Sequence, residues 1–203
     1  MAADKLGVAN MALTMIKAKR ITAFPTVADP LDEEATLIFD FYADTLKEVL
    51  SEFAWSFAQK RKNPLTLAVI QPTDTIGDFT VLYQVPTDMI KPTAKSKSAA
   101  LVMFESDGIY SDSSNLGLRY TYLNDTPSTY PGAFTFALAQ RLAAAIGFNR
   151  TESVSEAKEL LVQYRTLSLP AAISADFQKD AQAQVKQDEW ENARIAANIW
   201  WPL

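Results

Sequence analysis

A chain of 203 residues, 48% hydrophobic and 21% charged, has an ordinary globular composition and the length of one domain or of a domain carrying a sizeable insertion. It has no cysteine and no histidine, which excludes disulfides, thiolate metal sites and the serine–histidine and cysteine–histidine catalytic arrangements, and leaves carboxylate chemistry with magnesium or calcium open. The formal net charge of −5 argues against tight wrapping of nucleic acid, which needs clustered Lys and Arg.

The first predicted helix runs roughly from Asp4 to Ala18, with Leu6, Ala9, Leu13 and Ile16 recurring on one face. Its polar residues at helical spacing do not form a secretory signal. No stretch approaches the ~20 apolar residues of a membrane span, so a soluble intracellular product is expected. Pro25 and Pro30 mark a connector. The second helix is expected from near Leu31 to about Phe53. Asp29 is its candidate N-cap, Asp32, Glu33 and Glu34 lie in its first turn, and Ala35, Ile38, Tyr42, Leu46, Val49 and Phe53 form its apolar stripe.

From Trp55 the texture changes to short segments punctuated by proline. Phe79 to Val85 reads as a strand that turns at Pro86-Thr87-Asp88. Leu101 to Glu105 and Ile109 to Ser111 read as a hairpin joined at Asp107-Gly108, and Leu116 to Leu123 as a further strand. Together they predict one small antiparallel sheet. A third helix follows from near Tyr130, carrying Phe134, Leu138, Leu142 and Ile146 and ending at Gly147. Ser153 and Glu156 have the form of a capping box for a fourth helix that buries Ala157, Leu160, Leu161 and Tyr164. Pro170 should break or kink that helix. A polar, Gln-rich helical pattern then resumes to about Trp190.

The expected fold is therefore α+β and mainly α. Residues 1–55 and 127–203 form a helical bundle with a C-terminal extension, and a small antiparallel β domain is inserted at residues 56–126.

Few residues carry a recognisable chemistry. Asp29, Asp32, Glu33 and Glu34 are explained by the helix start. Glu105, Asp107 and Asp112 sit at an exposed hairpin tip, where nothing would shield a glycosidase acid. Lys91, Lys95 and Lys97 read as a solvated loop without the aromatics of a nucleic-acid reader. Lys60, Arg61 and Lys62 follow Trp55 and Phe57 directly; by default they are a solvated strand end, and they are also a candidate contact for DNA or an acidic partner. There is no glycine-rich phosphate loop, and no catalytic, metal or cofactor site is expected. The segment holding Trp190, Ile199, Trp200, Trp201 and Leu203 can either fold back onto the chain's own core or anchor in a partner's pocket, since Trp is enriched among interface hot spots.

Several motifs carry a family resemblance. The opening helix with Ala12, Leu13 and Ile16 is followed by the basic step Lys19-Arg20-Ile21-Thr22. The second helix closes on Glu52-Phe53-Ala54-Trp55-Ser56-Phe57-Ala58, an aromatic Trp-x-Phe ending before a basic strand. Tyr83-Gln84-Val85-Pro86-Thr87-Asp88, the hairpin from Glu105 to Asp112 and the helix opening at Pro131 come after it. In this order, over about Leu6 to Tyr164, the chain resembles the tail tubular protein A family of short-tailed bacteriophages.

The resemblance implies a head-to-tail adaptor made in the host cytoplasm and placed at the head–tail junction of the virion. Such a subunit would be non-enzymatic and would join a ring, generally dodecameric, between the portal protein and the tail nozzle, with DNA passing through as non-specific cargo. An acidic lumen would repel DNA and let it slide. Trp190, Ile199, Trp200, Trp201 and Leu203 are then candidates for docking on the portal. Two other readings stay open. One is a carboxylate-dependent cell-wall glycan hydrolase of a phage tail using Glu105 or Asp112; the other is an interaction module with no phage role.

Overall fold

The computed structural model of the chain describes residues 4–29, 31–69, 79–95, 101–150 and 154–178. The fold is α+β and mainly helical. N-terminal helices pack with C-terminal helices, and two small antiparallel sheets are inserted between them in the sequence. The chain divides into two compact units, Met1–Thr45 with Thr126–Leu203, and Leu46–Asp125. No helix among the described residues is long and apolar enough to cross a membrane.

The first unit is built around α3 (Gly132–Asn149), which packs against α1 (Lys5–Met15) and α4 (Val154–Gln163). Phe134, Leu138, Leu142 and Ile146 of α3 are fully buried, each worth about 1.5–3 kcal/mol relative to exposure. Asp4 caps α1 by accepting from the Gly7 amide at 2.6 Å. The helix closes in a left-handed residue, Lys17 (φ 58°), with the Ala18 amide donating to the Leu13 carbonyl. Asn10 then pins the connector to α1, donating to the Ile21 carbonyl and accepting from its amide.

Helix α2 (Glu33–Glu52) begins in this unit. Its N-cap is Asp32, which accepts from the Ala35 amide at 3.1 Å, and not Asp29, whose carboxylate accepts from Leu31 in the preceding turn. Glu34 pairs with Arg150 at 3.2 Å and joins the start of α2 to the end of α3.

Two further sequence expectations are corrected here. Gly147 does not end α3; the helix runs past it to Asn149, and a Cβ built on Gly147 would lie 2.9 Å from the Ala157 Cβ. The glycine lets α4 approach closely. Pro170 does not break the helix, which continues to Gln178, although the regular α-helical pattern is interrupted just before it. A π turn over Tyr164–Ser168, with the Leu169 amide reaching back to the Tyr164 carbonyl, widens the backbone just before the proline. That turn absorbs the missing donor and the ring's clash with the preceding carbonyls. The paired residue of the expected capping box, Ser153, lies outside the described residues, while the Glu156 carboxylate accepts from Lys17 at 2.8 Å.

The second unit holds two sheets where the sequence pattern predicts one. Strands β1 (Gln59–Lys62), β7 (Leu118–Tyr122) and β4 (Met89–Lys95) form the first in the order β1-β7-β4. Strands β2 (Thr66–Val69), β3 (Val81–Tyr83), β6 (Ile109–Ser111) and β5 (Val102–Phe104) form the second in the order β2-β3-β6-β5. Val81, Tyr83, Ile109, Leu116, Leu118 and Tyr120 make one core drawn from both sheets. The expected hairpin is present: Phe104 pairs with Ile109, and the Glu105 amide donates to the Gly108 carbonyl. Met89–Lys95 is a strand, so Lys91 and Lys95 lie in a strand and not in the expected loop. It tolerates Pro92 because it is an edge strand with register shifts on both sides of that residue.

Candidate functional site

Trp55 sets the start of the basic strand. Its ring is fully buried, its Nε1 donates to the Val49 carbonyl at 2.9 Å, and Phe53 meets it edge-on at 5.3 Å. This anchor closes α2, and a single 3₁₀ turn (Ser56–Ala58) leads into β1. Strand β1 has no apolar residue. In register with β7, Gln59 and Arg61 share one face and Lys60 lies on the other, and Lys62 is the last residue of the strand.

The Gln59 face is polar. Gln59 donates to Thr121 Oγ1 at 2.9 Å and accepts from Thr93 Oγ1 at 2.8 Å, so one side chain ties β1, β7 and β4 together. Further along, Arg61 stands directly opposite Arg119, and Ala94 of β4 occupies the next place in the row.

Lys60 separates from its sequence neighbours. Its ammonium lies 2.6 Å from Asp88 and 3.8 Å from the centre of the Tyr122 ring. Asp88 also accepts from the Tyr120 hydroxyl at 3.0 Å. The Lys60 hydrogen bond, supported by Tyr120 and opposed by burial, holds the Asp88 carboxyl below its ordinary range. Burial foremost, then the hydrogen bond to Asp88, pushes Tyr120 up to about 12. Lys60 thus belongs to a structural cluster.

Arg61 and Lys62 instead line a cleft of about 470 Å³ with Asn63, Ala94, Gly117, Leu118 and Arg119. Among the described residues, neither Arg61, Lys62 nor Arg119 has an ion-pair or hydrogen-bond partner for its side chain. Small residues at Ala94 and Gly117 leave the space, and the cations border it. Arg119 is the member that sequence reading missed. The signal was present only in the strand register, since nothing local to Arg119 marks Arg61 as its neighbour.

The remaining sequence candidates are dispersed. Lys91 donates to the Ser51 carbonyl, and Lys97 lies outside the described residues. Glu105 and Asp112 are exposed; Asp112 accepts from the Leu101 amide, and Asp107 accepts from the Tyr110 hydroxyl at 2.6 Å. Trp190, Ile199, Trp200, Trp201 and Leu203 all lie outside the described residues. Among the described residues, no group of three or more Asp or Glu is placed to hold a metal ion. Compared with known proteins, the chain matches no family model and no curated protein.

Proposed function

We propose that this chain is a head-to-tail adaptor subunit of a short-tailed bacteriophage, forming a ring between the portal protein and the tail nozzle through which DNA passes. The observation that carries the reading is the ordered series of motifs from Leu6 to Tyr164 that resembles the tail tubular protein A family. Several of these motif residues have fold-defining places. Trp55 of the Trp-x-Phe ending is buried and closes α2. Tyr83 is buried and donates to the Ser113 carbonyl at 2.7 Å. Asp88, which closes the same motif, gathers Lys60 and Tyr120. A motif whose residues direct the local fold is a better guide to shared architecture than one made of surface residues.

The mainly helical α+β plan supports the same reading, and the net charge of −5 suits a conduit that DNA must slide through. A closed ring of identical chains needs a heterologous contact, because an isologous patch stops at a dimer. In this proposal Trp190, Ile199, Trp200, Trp201 and Leu203 dock on the portal. Electron microscopy of the chain mixed with its cognate portal protein tests both parts. Rings stacked coaxially on the portal are expected, together with their loss on deletion of Asn198 to Leu203. Portal binding unaffected by that deletion would remove the docking role from this segment.

A further inference from the structure

We propose that the cleft bordered by Arg61, Lys62 and Arg119 is a binding site for phosphate groups, carried by a nucleic-acid backbone or by a free phosphate compound. Two guanidinium groups in directly opposed register on β1 and β7 repel one another. Lys62 adds a further positive charge, and among the described residues no carboxylate answers any of them. An anion seated between them turns that repulsion into attraction.

The shape of the cleft supports occupancy. Arg119 is flanked by Arg61 on one side and by Ala94 on the other, so the row of side chains is tall on one side and short on the other. Together with Gly117, this leaves about 470 Å³, within the range of about 300–1,000 Å³ typical of small-ligand sites. Asn63 adds an uncharged amide to the rim.

The number and type of donors favour phosphate over carboxylate. One guanidinium fork already satisfies both oxygens of a carboxylate. Two guanidiniums call for more acceptor oxygens and more negative charge. A phosphate monoester brings three oxygens and a charge of about −1.5 to −2, and a nucleic-acid strand brings successive phosphates. Among the described residues no aromatic ring lines the cleft, so bases would not stack on them, and contact to nucleic acid would be to the backbone without regard to sequence. Lys60 takes no part, being held by Asp88. The inference rests on the cleft alone and does not depend on the adaptor reading.

The test uses the full chain with a fluorescently labelled DNA duplex, read by anisotropy, and with pyrophosphate, read by calorimetry. With three phosphates contacted, duplex affinity should fall about 40-fold between about 50 mM and about 200 mM salt. Arg61→Ala and Arg119→Ala should each weaken the duplex about 5- to 10-fold and lower the salt slope by about 1. Lys158→Ala on α4, a general charge control, should change affinity less than about 2-fold. Pyrophosphate binding without duplex binding, lost in the double alanine variant, assigns the site to free phosphate compounds. If the double variant fails to fold, Arg61→Lys and Arg119→Lys keep the charge and lose the fork, and should still weaken pyrophosphate several-fold. The proposal is overturned if the wild type binds neither ligand, or if folded variants bind both as the wild type does. Tighter binding of polyglutamate than of either phosphate ligand also overturns it, and assigns the cleft to an acidic protein partner. Assembly with the portal is a separate measurement, so neither result decides the other.

Discussion

Arg61 and Arg119 face each other across β1 and β7, two cations in register on neighbouring strands. Like charges so placed destabilise a sheet by a few tenths to about 1 kcal/mol, and the repulsion is screened once the Debye length shrinks to about 3 Å near 1 M salt. Arg61→Thr should therefore raise stability at low salt by about 0.2–1 kcal/mol, with the gain fading in concentrated potassium chloride. Urea unfolding at the two salt concentrations checks this. A loss of stability at low salt would mean that Arg61 supports the sheet through contacts other than those described.

At the α3–α4 crossing the governing quantity is distance. Alanine in place of a helical glycine ordinarily gains about 0.5–1 kcal/mol. At Gly147 the new Cβ would lie 2.9 Å from the Ala157 Cβ and 3.6 Å from Ile16 Cγ2, and overpacking of this kind costs about 1–3 kcal/mol. The clash should win, so Gly147→Ala should lower stability by about 1–2 kcal/mol, and Ala157→Gly in the same chain should restore part of the loss. Stabilisation by the single change would contradict the close approach.

The end of α1 offers a change in the opposite direction. Lys17 holds a left-handed backbone conformation that favours glycine, and its pair with Glu156 is solvent-exposed. Lys17→Gly should raise Tm by about 1–4 °C, whereas Lys17→Ala, which keeps the backbone strain and loses the pair, should not. Thermal unfolding followed by circular dichroism distinguishes them. Equal Tm values for the two variants would contradict a strained cap.

The Lys60–Asp88–Tyr120 cluster gives two pH limbs. Folding lowers the Asp88 pKa, so its contribution is present above the unfolded value of about 3.9 and is lost as pH falls through and below that value. Folding raises the Tyr120 pKa to about 12. Its contribution is therefore present below the unfolded value of about 10 and is lost as pH rises from there toward about 12. Asp88→Asn should lower stability at neutral pH and make the acid limb shallower, and Tyr120→Phe should make the alkaline limb shallower. Urea midpoints measured from about pH 3 to about pH 11 read both. An acid limb unchanged in Asp88→Asn would contradict the account.

The helices were legible because apolar periodicity is a local signal. The α2 stripe through Ile38, Tyr42, Leu46 and Val49 is buried as its spacing implies. The Asp107-Gly108 turn was legible for the same reason. What sequence could not show was pairing between distant segments. Strand β4 carries Pro92 and lysines that read as a loop, and only its edge position beside β7 makes it a strand. Gly147 reads as a helix stop until Ala157 is seen against it. Lys60, Arg61 and Lys62 read as one basic run, yet alternation along β1 parts Lys60, held by the distant Asp88, from Arg61, which meets Arg119 at a cleft.

The adaptor reading is tested most directly by mass. Light scattering of the chain alone, and then mixed with its cognate portal protein, reports whether the portal acts as a template for a ring. The account predicts one discrete large complex whose added mass is a whole number of chains, generally twelve in the family the sequence resembles. A monomer or dimer that ignores the portal would contradict it.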